Sequence, residues 1–416
     1  MTLPASGAVA RIRFNPFSAE FRRDPYPMYR ELREHRPVHK TLGMWVLTRH
    51  EDVRAVLGDR SFSAGLIPRL VAEQAERFRQ TDVDRIARLG RKSLVFTDNP
   101  DHARLRGLVN RVFTAAAVDG LRPVATELTA RWIARARNDC EMDVIADLAA
   151  PLPVSVLCEW MALPAALREQ VRPWTHDIRF LLEPGLMQEA DFIRVREVVE
   201  EFAAALTEVL EQRRREPGDD LISRLLAART AGGDALSEEE LVFVCIMSFV
   251  AGNETTTSLI GNGVLALIRH PEQAHALRHG HVTVKAAVTE ALRYDAPLQL
   301  TKRVATRDVE VGGQRIRAGD QVLVCLGAAN RDPEVFERPD EFDLVRGGLG
   351  HLAFGHGLHG CLGGQLAELL AEVAFVQLRE LELTPLTDEF EWQDHSFIVR
   401  GLAHLPAAVR GAQGAR

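Results

Sequence analysis

One glycine-rich stretch decides how this sequence is interpreted: Phe354-Gly355-His356-Gly357-Leu358-His359-Gly360-Cys361-Leu362-Gly363-Gly364-Gln365-Leu366-Ala367. Five glycines fall within eleven positions, and one cysteine lies among them. Apolar residues then follow at helical spacing, at Leu366, Leu369, Leu370 and Val373. Cys361 is therefore predicted where an irregular loop meets a helix N-terminus, and free N–H groups and the helix dipole favour a thiolate there. Gly363 and Gly364 would let those donors approach the sulfur without a Cβ in the way.

Three interpretations of Cys361 fit this stretch. The first is a buried structural cysteine after a turn, which is the ordinary case for a lone cysteine. The second is a zinc site with His356, His359 and Cys361 as ligands and His351 as a fourth, although these ligands crowd one loop and no Cys-x-x-Cys pair occurs elsewhere. The third is haem with an axial thiolate, which needs a single ligand and a backbone that a flat group can approach.

The glycines favour the third interpretation, because Gly355, Gly357 and Gly360 would let a flat, bulky group lie against the backbone. The stretch resembles the haem-ligand loop of the cytochrome P450 family, Phe-Gly-x-Gly-x-His-x-Cys-x-Gly. Its six specified positions are filled by Phe354, Gly355, Gly357, His359, Cys361 and Gly363. The resemblance implies a mainly α fold with small β-sheets, in which a long central helix and the cysteine loop sandwich haem b.

Composition narrows the class of protein further. The chain has 416 residues, and 46% of them are hydrophobic, which is enough for a large core. Its net charge is −7. The resemblance implies one unusually large domain at residues 14–410, between a disordered arm at 1–13 and a flexible tail at 411–416. No basic block occurs along the chain, so nucleic acid is not an expected partner.

The number of cysteines and the lengths of the apolar runs indicate the cellular compartment in which the protein is expected. Five scattered cysteines argue against a disulfide framework and fit a reducing cytosol. No run of about 18 apolar residues occurs, so no membrane span is expected. Residues 1–13 lack the long apolar region of a signal peptide. The resemblance is therefore to the soluble bacterial P450s, and a cytoplasmic monomer is expected.

A second motif follows Asp98-Asn99-Pro100, where one of the first two residues is predicted to cap a helix whose first turn holds the proline. His102 and Arg106 lie four residues apart and share a face of that helix. A helix face with such residues is ordinarily exposed to solvent, but His102 and Arg106 could also bind an anion. In the family, the matching His-x-x-x-Arg pair binds a haem propionate, and Arg303 matches a second propionate-binding arginine.

A long helix is predicted from the capping box at Ser237-Glu238-Glu239-Glu240 to His270, about 48 Å at 1.5 Å per residue. Its first half is apolar on all sides, which indicates burial. Residues 252–258 are polar. Hydroxyls that bond back to carbonyls one turn earlier would only bend the helix. A carboxylate in a buried helix costs roughly several kcal/mol and is not explained in that way.

The sequence Ala251-Gly252-x-Glu254-Thr255-Thr256 resembles the oxygen-activation segment of P450s. The resemblance implies that Gly252 leaves room beside the haem. Thr255 would hold a water and pass protons inward, because its hydroxyl can both accept and donate. Glu254 is offset by about 100° around the helix, so it is expected to face a solvent channel and reload this relay. Glu254 and Thr255 are thus the expected catalytic residues.

Glu290 and Arg293 form a Glu-x-x-Arg pair on a predicted helix, which is a weak signal because the same spacing recurs elsewhere in the chain. The position of this pair ahead of Cys361 matches the buried pair of the family, and Arg346 matches its third member. The resemblance implies that this structural triad holds the segment under the haem. The substrate pocket is expected to be apolar and lined by Val250, Ala251, Leu298, Leu300 and Ile398.

The resemblance implies a monooxygenase of bacterial secondary metabolism that inserts one atom of O2 into an apolar organic substrate by hydroxylation or epoxidation. Electrons are expected from NAD(P)H through a ferredoxin reductase and an acidic ferredoxin, which would dock on basic residues such as Arg104 and Arg111. One alternative is a P450-fold enzyme that uses peroxide or catalyses oxidative coupling, although such enzymes often lack the acid–alcohol pair present here. The other is a non-enzymatic haem-thiolate sensor.

Overall fold

The computed structural model describes residues 13–80, 84–347 and 350–411. The predicted N-terminal arm lies outside these residues except for Arg13. The predicted tail also lies outside them except for Gly411, which is the last residue of a β-strand. The described chain is mainly α-helical with small sheets, and the predicted fold class is therefore confirmed.

The helices of the described residues carry the core. They are α1 (Ala19–Arg23), α2 (Tyr26–His35), α3 (His50–Gly58), α4 (Leu66–Arg77), α5 (Asp84–Lys92), α6 (Asp101–Asn110), α7 (Ala115–Asp119), α8 (Arg122–Asp139), α9 (Pro151–Trp160), α10 (Ala165–Ile178), α11 (Glu189–Arg215), α12 (Leu221–Ala227), α13 (Glu238–Arg269), α14 (Pro271–Arg278), α15 (Val284–Tyr294), α16 (Leu326–Ala329) and α17 (Gly364–Leu378). A π-helical segment covers Val144–Ala149, and 3-10 segments cover Arg179–Leu182, Pro184–Leu186 and Gly357–His359.

The strands of the described residues form three small sheets. The strands are β1 (Val38–Thr41), β2 (Met44–Leu47), β3 (Phe62–Ser63), β4 (Glu141–Asp143), β5 (Leu300–Ala305), β6 (Val309–Val311), β7 (Gln314–Ile316), β8 (Gln321–Cys325), β9 (Leu381–Pro385) and β10 (Pro406–Gly411). The sheet orders are β1-β2-β8-β5-β3, β4-β10-β9 and β6-β7. All pairs are antiparallel except β2 with β8, which run parallel.

The long helix α13 is the central element, as predicted. Its capping box is formed, because Ser237 Oγ accepts from the backbone N–H of Glu240 at 3.2 Å and the Glu240 carboxylate accepts from the backbone N–H of Ser237 at 2.9 Å. Pro271 follows its C-terminal end. Length and hydropathy alone would also fit a membrane span, but 61% of its most apolar window is buried inside the protein.

Two glycines let α13 lie close to its neighbours. A Cβ on Gly263 would come within 2.5 Å of Phe375 Cζ on α17, and a Cβ on Gly261 would collide with Ile145 of the π-helical segment. These contacts are possible only because glycine lacks that atom. The Gly263 contact packs the C-terminal half of α13 against α17, the helix that begins three residues after Cys361, and the Gly261 contact packs it against the π-helical segment.

The start of α6 differs from the prediction. The helix begins at Asp101, its N-cap is Pro100, and no side chain caps it. The Asp98 carboxylate instead accepts hydrogen bonds from Ser63 Oγ and from the backbone N–H of Ala64 at 3.2 Å. The predicted cap is therefore wrong, because this carboxylate links the loop before α6 to the end of β3 rather than to the free N–H groups of α6.

Candidate active site

Cys361 lies between the 3-10 turn Gly357–His359 and α17, as predicted. Its backbone N–H donates to the Phe354 carbonyl over 2.8 Å. The side chain is accessible, yet the surrounding protein desolvates the thiol and raises its pKa. The N–H groups of Gly363 and Gly364, together with Arg106, oppose that rise. The local donors therefore act in the predicted direction without outweighing burial, and a bound metal ion would be needed to complete deprotonation.

The loop glycines serve two purposes. Gly355 and Gly357 both have a φ of +70°, a conformation that other residues rarely adopt. A Cβ on Gly357 would also lie 2.7 Å from the Leu57 carbonyl oxygen, so the prediction that this glycine faces a flat ligand is wrong. By contrast, a Cβ on Gly363 would meet nothing within 4 Å. Gly363 thus leaves open space close to the sulfur.

His102 is a buried side chain without a partner. It is 1% exposed, and neither of its ring nitrogens makes a hydrogen bond. Burial and the nearby Arg106 lower its pKa. Arg106 itself donates from Nη1 to the Gly360 carbonyl over 2.7 Å, which ties α6 to the cysteine loop. A buried imidazole that makes no hydrogen bond is costly unless a ligand supplies the missing acceptor.

Arg303 and His359 extend this cluster. The Nη1 group of Arg303 donates to Thr301 Oγ1 at 3.2 Å and to the Lys302 carbonyl at 2.7 Å, and burial lowers the pKa of Arg303 to about 10. Burial, Arg303 and His102 lower the pKa of His359 to about 4. His359 Nε2 lies 3.5 Å from Asp98 Oδ1 without forming a hydrogen bond. The cluster is rich in donors, with one nearby carboxylate, so it is suited to an anionic ligand.

The middle of α13 is open although the helix is otherwise largely buried. Ala251 is exposed, and Gly252 and Thr255 are partly exposed. A Cβ on Gly252 would make only an ordinary contact, with Leu157 Cδ1 at 3.7 Å. Thr255 Oγ1 donates to the Ala251 carbonyl over 2.9 Å, which leaves its lone pairs free to accept. Exposed residues at the centre of a core helix indicate a cavity at this point.

The sequence predicts that Glu254 points toward a solvent channel, and the structure places Arg179 and His395 beside its carboxylate. Its side chain is 18% exposed, and its Oε1 lies 3.1 Å from His395 Nε2 and 3.7 Å from Arg179 Nε. Sequence reasoning missed both partners. Arg179 belongs to a 3-10 turn and His395 to the loop before β10, and no spacing in the sequence connects either residue with α13.

The predicted pocket residues separate into two groups. Ala251 is exposed, while Leu298 and Ile398 are partly buried and lie close together, because Leu298 forms a β-bridge with the adjacent Val399. Val250, in contrast, is 2% exposed and belongs to the main core.

Leu300 does not belong with the cavity residues. It is fully buried among N-terminal aromatic residues such as Tyr29. Side chains alternate along a strand, and the Arg303–Thr301 hydrogen bond places those two residues on the opposite face of β5. The prediction that Leu300 lines the pocket is therefore wrong.

The three residues of the predicted structural triad meet in the interior. Arg293 donates from Nε and Nη2 to the two carboxylate oxygens of Glu290, at 2.8 and 2.7 Å, and the two side chains are 0% and 1% exposed. Arg346 Nε lies 3.3 Å from Glu290 Oε1. Arg293 also donates to the carbonyls of Asn330, Pro339 and Glu341. One buried guanidinium therefore fixes the segment that leads toward the cysteine loop.

The other interpretations of Cys361 find less support. Within residues 13–80, 84–347 and 350–411, no group of three or more His, Cys, Asp or Glu side chains is arranged to hold a metal, which disfavours the zinc site. Cys361 is accessible, whereas Cys158, Cys245 and Cys325 are buried. A purely structural cysteine is expected to resemble those three.

Comparison with known proteins agrees with this geometry. A family model described as Cytochrome P450 matches residues 180–400. Cytochrome P450 107B1 of Saccharopolyspora erythraea is 39% identical over 409 residues, which cover 94% of this chain and 96% of that protein. The chain belongs to the cytochrome P450 family. Another P450 relative, 6-deoxyerythronolide B hydroxylase of the same organism, is 34% identical over 411 residues, or 95% of this chain and 98% of that protein.

A solved P450 structure also covers nearly the whole chain. It is the crystal structure of P450BioI in complex with hexadec-9Z-enoic acid ligated acyl carrier protein, with a TM-score of 0.85, 33% identity, and coverage of 94% of this chain and 99% of that one. The P450 fold and the classification of this chain as a P450 monooxygenase rest on these relatives.

The residues present fit the haem that P450 membership implies. Cys361 would supply the axial thiolate, beside the open space at Gly363. His102 has no hydrogen-bond partner, and burial lowers the pKa values of Arg106 and Arg303, so these three side chains would suit two propionates. When bound, a thiolate-ligated haem supplies oxygen activation, because the thiolate donates electron density that favours O–O cleavage, as is general in P450s.

Proposed function

We propose that this P450 inserts one oxygen atom of O2 into an apolar organic substrate of bacterial secondary metabolism, by hydroxylation or epoxidation, as a single-domain cytoplasmic monomer. Its cofactor is haem b, and its electrons come from NAD(P)H through ferredoxin reductase and ferredoxin. The accessible thiol of Cys361 and the buried imidazole of His102, which makes no hydrogen bond, carry the proposal. Turnover with a surrogate ferredoxin pair, compared with peroxide alone, tests it; equal turnover with peroxide alone would favour the peroxide-driven alternative.

The proposed cofactor contacts follow from the geometry around the loop. Cys361 would ligate the haem iron, and His102, Arg106 and Arg303 would neutralise the propionates. Phe354 and His359 flank the ligand loop, where the Phe354 ring is the nearest group to a Cβ built on Gly364, at 3.5 Å. Gly363 and Gly252 would leave room for the cofactor. Glu290, Arg293 and Arg346 act indirectly, by fixing the segment that carries the loop.

Replacing Arg106 with alanine should weaken haem retention. Charge-assisted hydrogen bonds are worth roughly 1.5–3 kcal/mol each, so haem should dissociate about 10- to 100-fold faster. Transfer of haem to apomyoglobin measures this rate. Arg111→Ala is the matched control, because Arg111 caps the C-terminus of the same helix and is exposed. Equal dissociation rates in the two variants would contradict the assignment of Arg106.

The proton path is proposed to run through Glu254 and Thr255. The Thr255 hydroxyl can hold a water while it donates to the Ala251 carbonyl, and it lies on the open side of α13. Glu254 is partly buried and within reach of a second titratable group, His395. Glu254 and Thr255 can together move protons toward the cavity beside α13.

Thr255→Ala should uncouple the reaction. The variant should keep haem, substrate binding and NAD(P)H consumption. Most of the reducing equivalents should appear as hydrogen peroxide instead of product, because the Thr255 hydroxyl no longer directs protons to the reacting oxygen. Glu254→Gln should instead slow oxygen consumption by about 10- to 100-fold, since the proton source itself is lost. The ratio of product to NAD(P)H consumed measures both effects. Thr257→Ala is the control, because its hydroxyl donates to the Ala149 carbonyl. A tightly coupled Thr255→Ala enzyme would place the relay elsewhere.

The pocket is proposed to be apolar and lined by Ala251, Leu298 and Ile398, with Thr301 as a polar contribution from β5. One relative was crystallised with an acylated carrier protein, so carrier-bound compounds should be tested as substrates together with free ones. A screen of free and carrier-bound compounds for the Soret shift that accompanies substrate binding would separate the two classes.

Arg111 is the proposed contact for ferredoxin. Arg104, the other arginine predicted for this face, is not free to dock, because it pairs with Asp234 at 3.3 Å and with Glu240. Arg111 is exposed, and no ion pair involves it in the described part of the chain. Arg111→Ala should slow reduction by an acidic ferredoxin by about 2- to 5-fold at low salt, and the difference should shrink as salt rises. Arg135→Ala, on α8, is a charge-matched control, and an equal effect of the two substitutions would contradict the docking site.

A further inference from the structure

The loop before β10 supplies a histidine that contacts the proposed catalytic carboxylate. His395 Nε2 lies 3.1 Å from Glu254 Oε1 with hydrogen-bond geometry, while 25% of the His395 side chain remains exposed. The residue therefore joins the interior carboxylate to the surface. His395 has no assigned role in the proposed proton path through Glu254 and Thr255, and this inference rests on that proposed function.

Other charged groups surround this contact. Arg179 Nε lies 3.7 Å from the same carboxylate oxygen but makes no hydrogen bond. The His176 ring centroid is 6.4 Å from that of His395, and Asp177 acts electrostatically on both His176 and Arg179. Glu254 also acts electrostatically on Glu183, which directly follows the 3-10 turn Arg179–Leu182. Asp394 precedes His395 on its own loop.

The two cationic neighbours of Glu254 differ in what they can do. A guanidinium keeps its proton at neutral pH, so Arg179 can stabilise the carboxylate charge but cannot exchange protons with it. An imidazole gains and loses a proton between about pH 5 and 8. Of the two side chains that contact Glu254, His395 is therefore the one able to transfer a proton.

The loop that carries His395 is held in place by its own contacts. Glu183 accepts hydrogen bonds from Ser396 Oγ and from the backbone N–H of Phe397, the latter at 3.2 Å. Ser396 and Phe397 are both buried. Residues directly after His395 are thus anchored to the 3-10 region, and the imidazole is positioned on a fixed segment rather than on a free loop.

We propose that His395 is a positioning residue that orients Glu254 and reloads it with protons from solvent. The imidazolium gives its Nε2 proton to Glu254 Oε1, so the N–H bond breaks, an O–H bond forms, and both charges are lost. After Glu254 passes that proton inward, the carboxylate is restored and the neutral ring takes a new proton from water at Nε2. No oxidant or reductant is required for this step.

A spectroscopic test detects the contact between His395 and Glu254 and does not require turnover. The haem-loaded protein is labelled with 15N-histidine, reduced and held as its diamagnetic CO complex, and the His395 ring signals are assigned by their loss in His395→Gln. Glu254→Ala should change the His395 ring signals while leaving those of His404 unchanged. Identical His395 signals in wild type and Glu254→Ala would overturn the proposal.

A kinetic test measures the effect of the proton transfer from His395 to Glu254. Oxygen consumption by haem-loaded enzyme is driven by excess surrogate ferredoxin without added substrate, in H2O and in D2O. His395→Gln keeps a hydrogen-bond donor but cannot shuttle protons, so the rate should fall at least about 10-fold and the solvent isotope effect should rise. His404→Gln is the matched control, since His404 Nδ1 also contacts a carboxylate, Asp143 Oδ2 at 2.8 Å, on the surface.

The outcomes separate this inference from the proposed function. If His395→Gln and His404→Gln have equal rates and equal isotope effects, the inference is wrong while the monooxygenase assignment stands. If the wild-type protein consumes no oxygen with any reduced ferredoxin, the proposed function itself fails. A loss of haem in His395→Gln would show a structural role only and would also overturn the inference.

Discussion

Replacing Cys361 with serine is expected to abolish thiolate-ligated haem. Serine preserves the size of the side chain and the backbone N–H donors around it, but its oxygen is a poor match for the soft ligand that P450 haem requires. The purified variant should contain little haem. Any haem that it retains should lack the red-shifted Soret band that marks thiolate ligation in the reduced, CO-bound state. Haem content and that difference spectrum measure the effect.

Cys140→Ser is the matched control for this substitution, because Cys140 is also accessible and lies at the C-terminal end of α8. It should retain full haem content and a normal spectrum. A Cys361→Ser protein with a normal thiolate spectrum would show that another cysteine is the ligand.

Replacing Arg293 with methionine should destabilise the fold by roughly 3–5 kcal/mol, since breaking a buried ion pair leaves an unpaired charge behind. Glu290 would keep Arg346, at 3.3 Å, and the backbone N–H of Asp343, at 3.0 Å, while the carbonyls of Asn330, Pro339 and Glu341 would each lose one donor. Urea unfolding followed by circular dichroism measures the loss of unfolding free energy. If the methionine variant is insoluble, Arg293→Lys serves instead, because lysine keeps the charge but cannot make the two-pronged contact.

Arg338→Met is the matched control for Arg293. Its side chain pairs with Glu341 at 2.7 Å, but both side chains are more than half exposed. Exposed pairs contribute about 0–1 kcal/mol, so this variant should unfold close to the wild type. Equal stabilities of the two methionine variants would contradict the structural role of the Glu290–Arg293 pair.

Local patterns predicted the parts of the fold that depend on local physics. The capping box at Ser237 and the proline after His270 define both ends of α13, and the glycine loop before α17 places Cys361 at a helix N-terminus. These features depend on backbone N–H groups, caps and periodicity within a few residues. For that reason they can be predicted from the sequence without any tertiary information.

The errors arose where distant segments meet. Asp98 was expected to cap α6, but Ser63 and Ala64 from a remote strand take its oxygens. Gly357 was expected to face a ligand, but α3 lies against it. Leu300 was placed in the pocket because it is apolar and adjacent to the right segment. Its face is set by the pairing of β5, and a shift of one residue in a strand changes the face.

The surroundings of Glu254 were hidden for the same reason. Sequence spacing on α13 gave the direction of its side chain, and a solvent channel was the simplest expectation. The structure places Arg179 and His395 there, from segments about 75 residues before and about 140 residues after it in the chain. Contacts of this kind depend on how the helices and loops pack around α13.

Isotope-labelled dioxygen tests the central claim most directly. Once a Soret-shift screen has supplied a substrate, turnover with ferredoxin, its reductase and 18O2 should place one labelled atom in each product molecule and the other in water. The label should follow product yield, and it should fall together with that yield in Thr255→Ala. Product that carries no 18O, or product that forms equally well without dioxygen, would contradict a monooxygenase built on Cys361, Glu254 and Thr255.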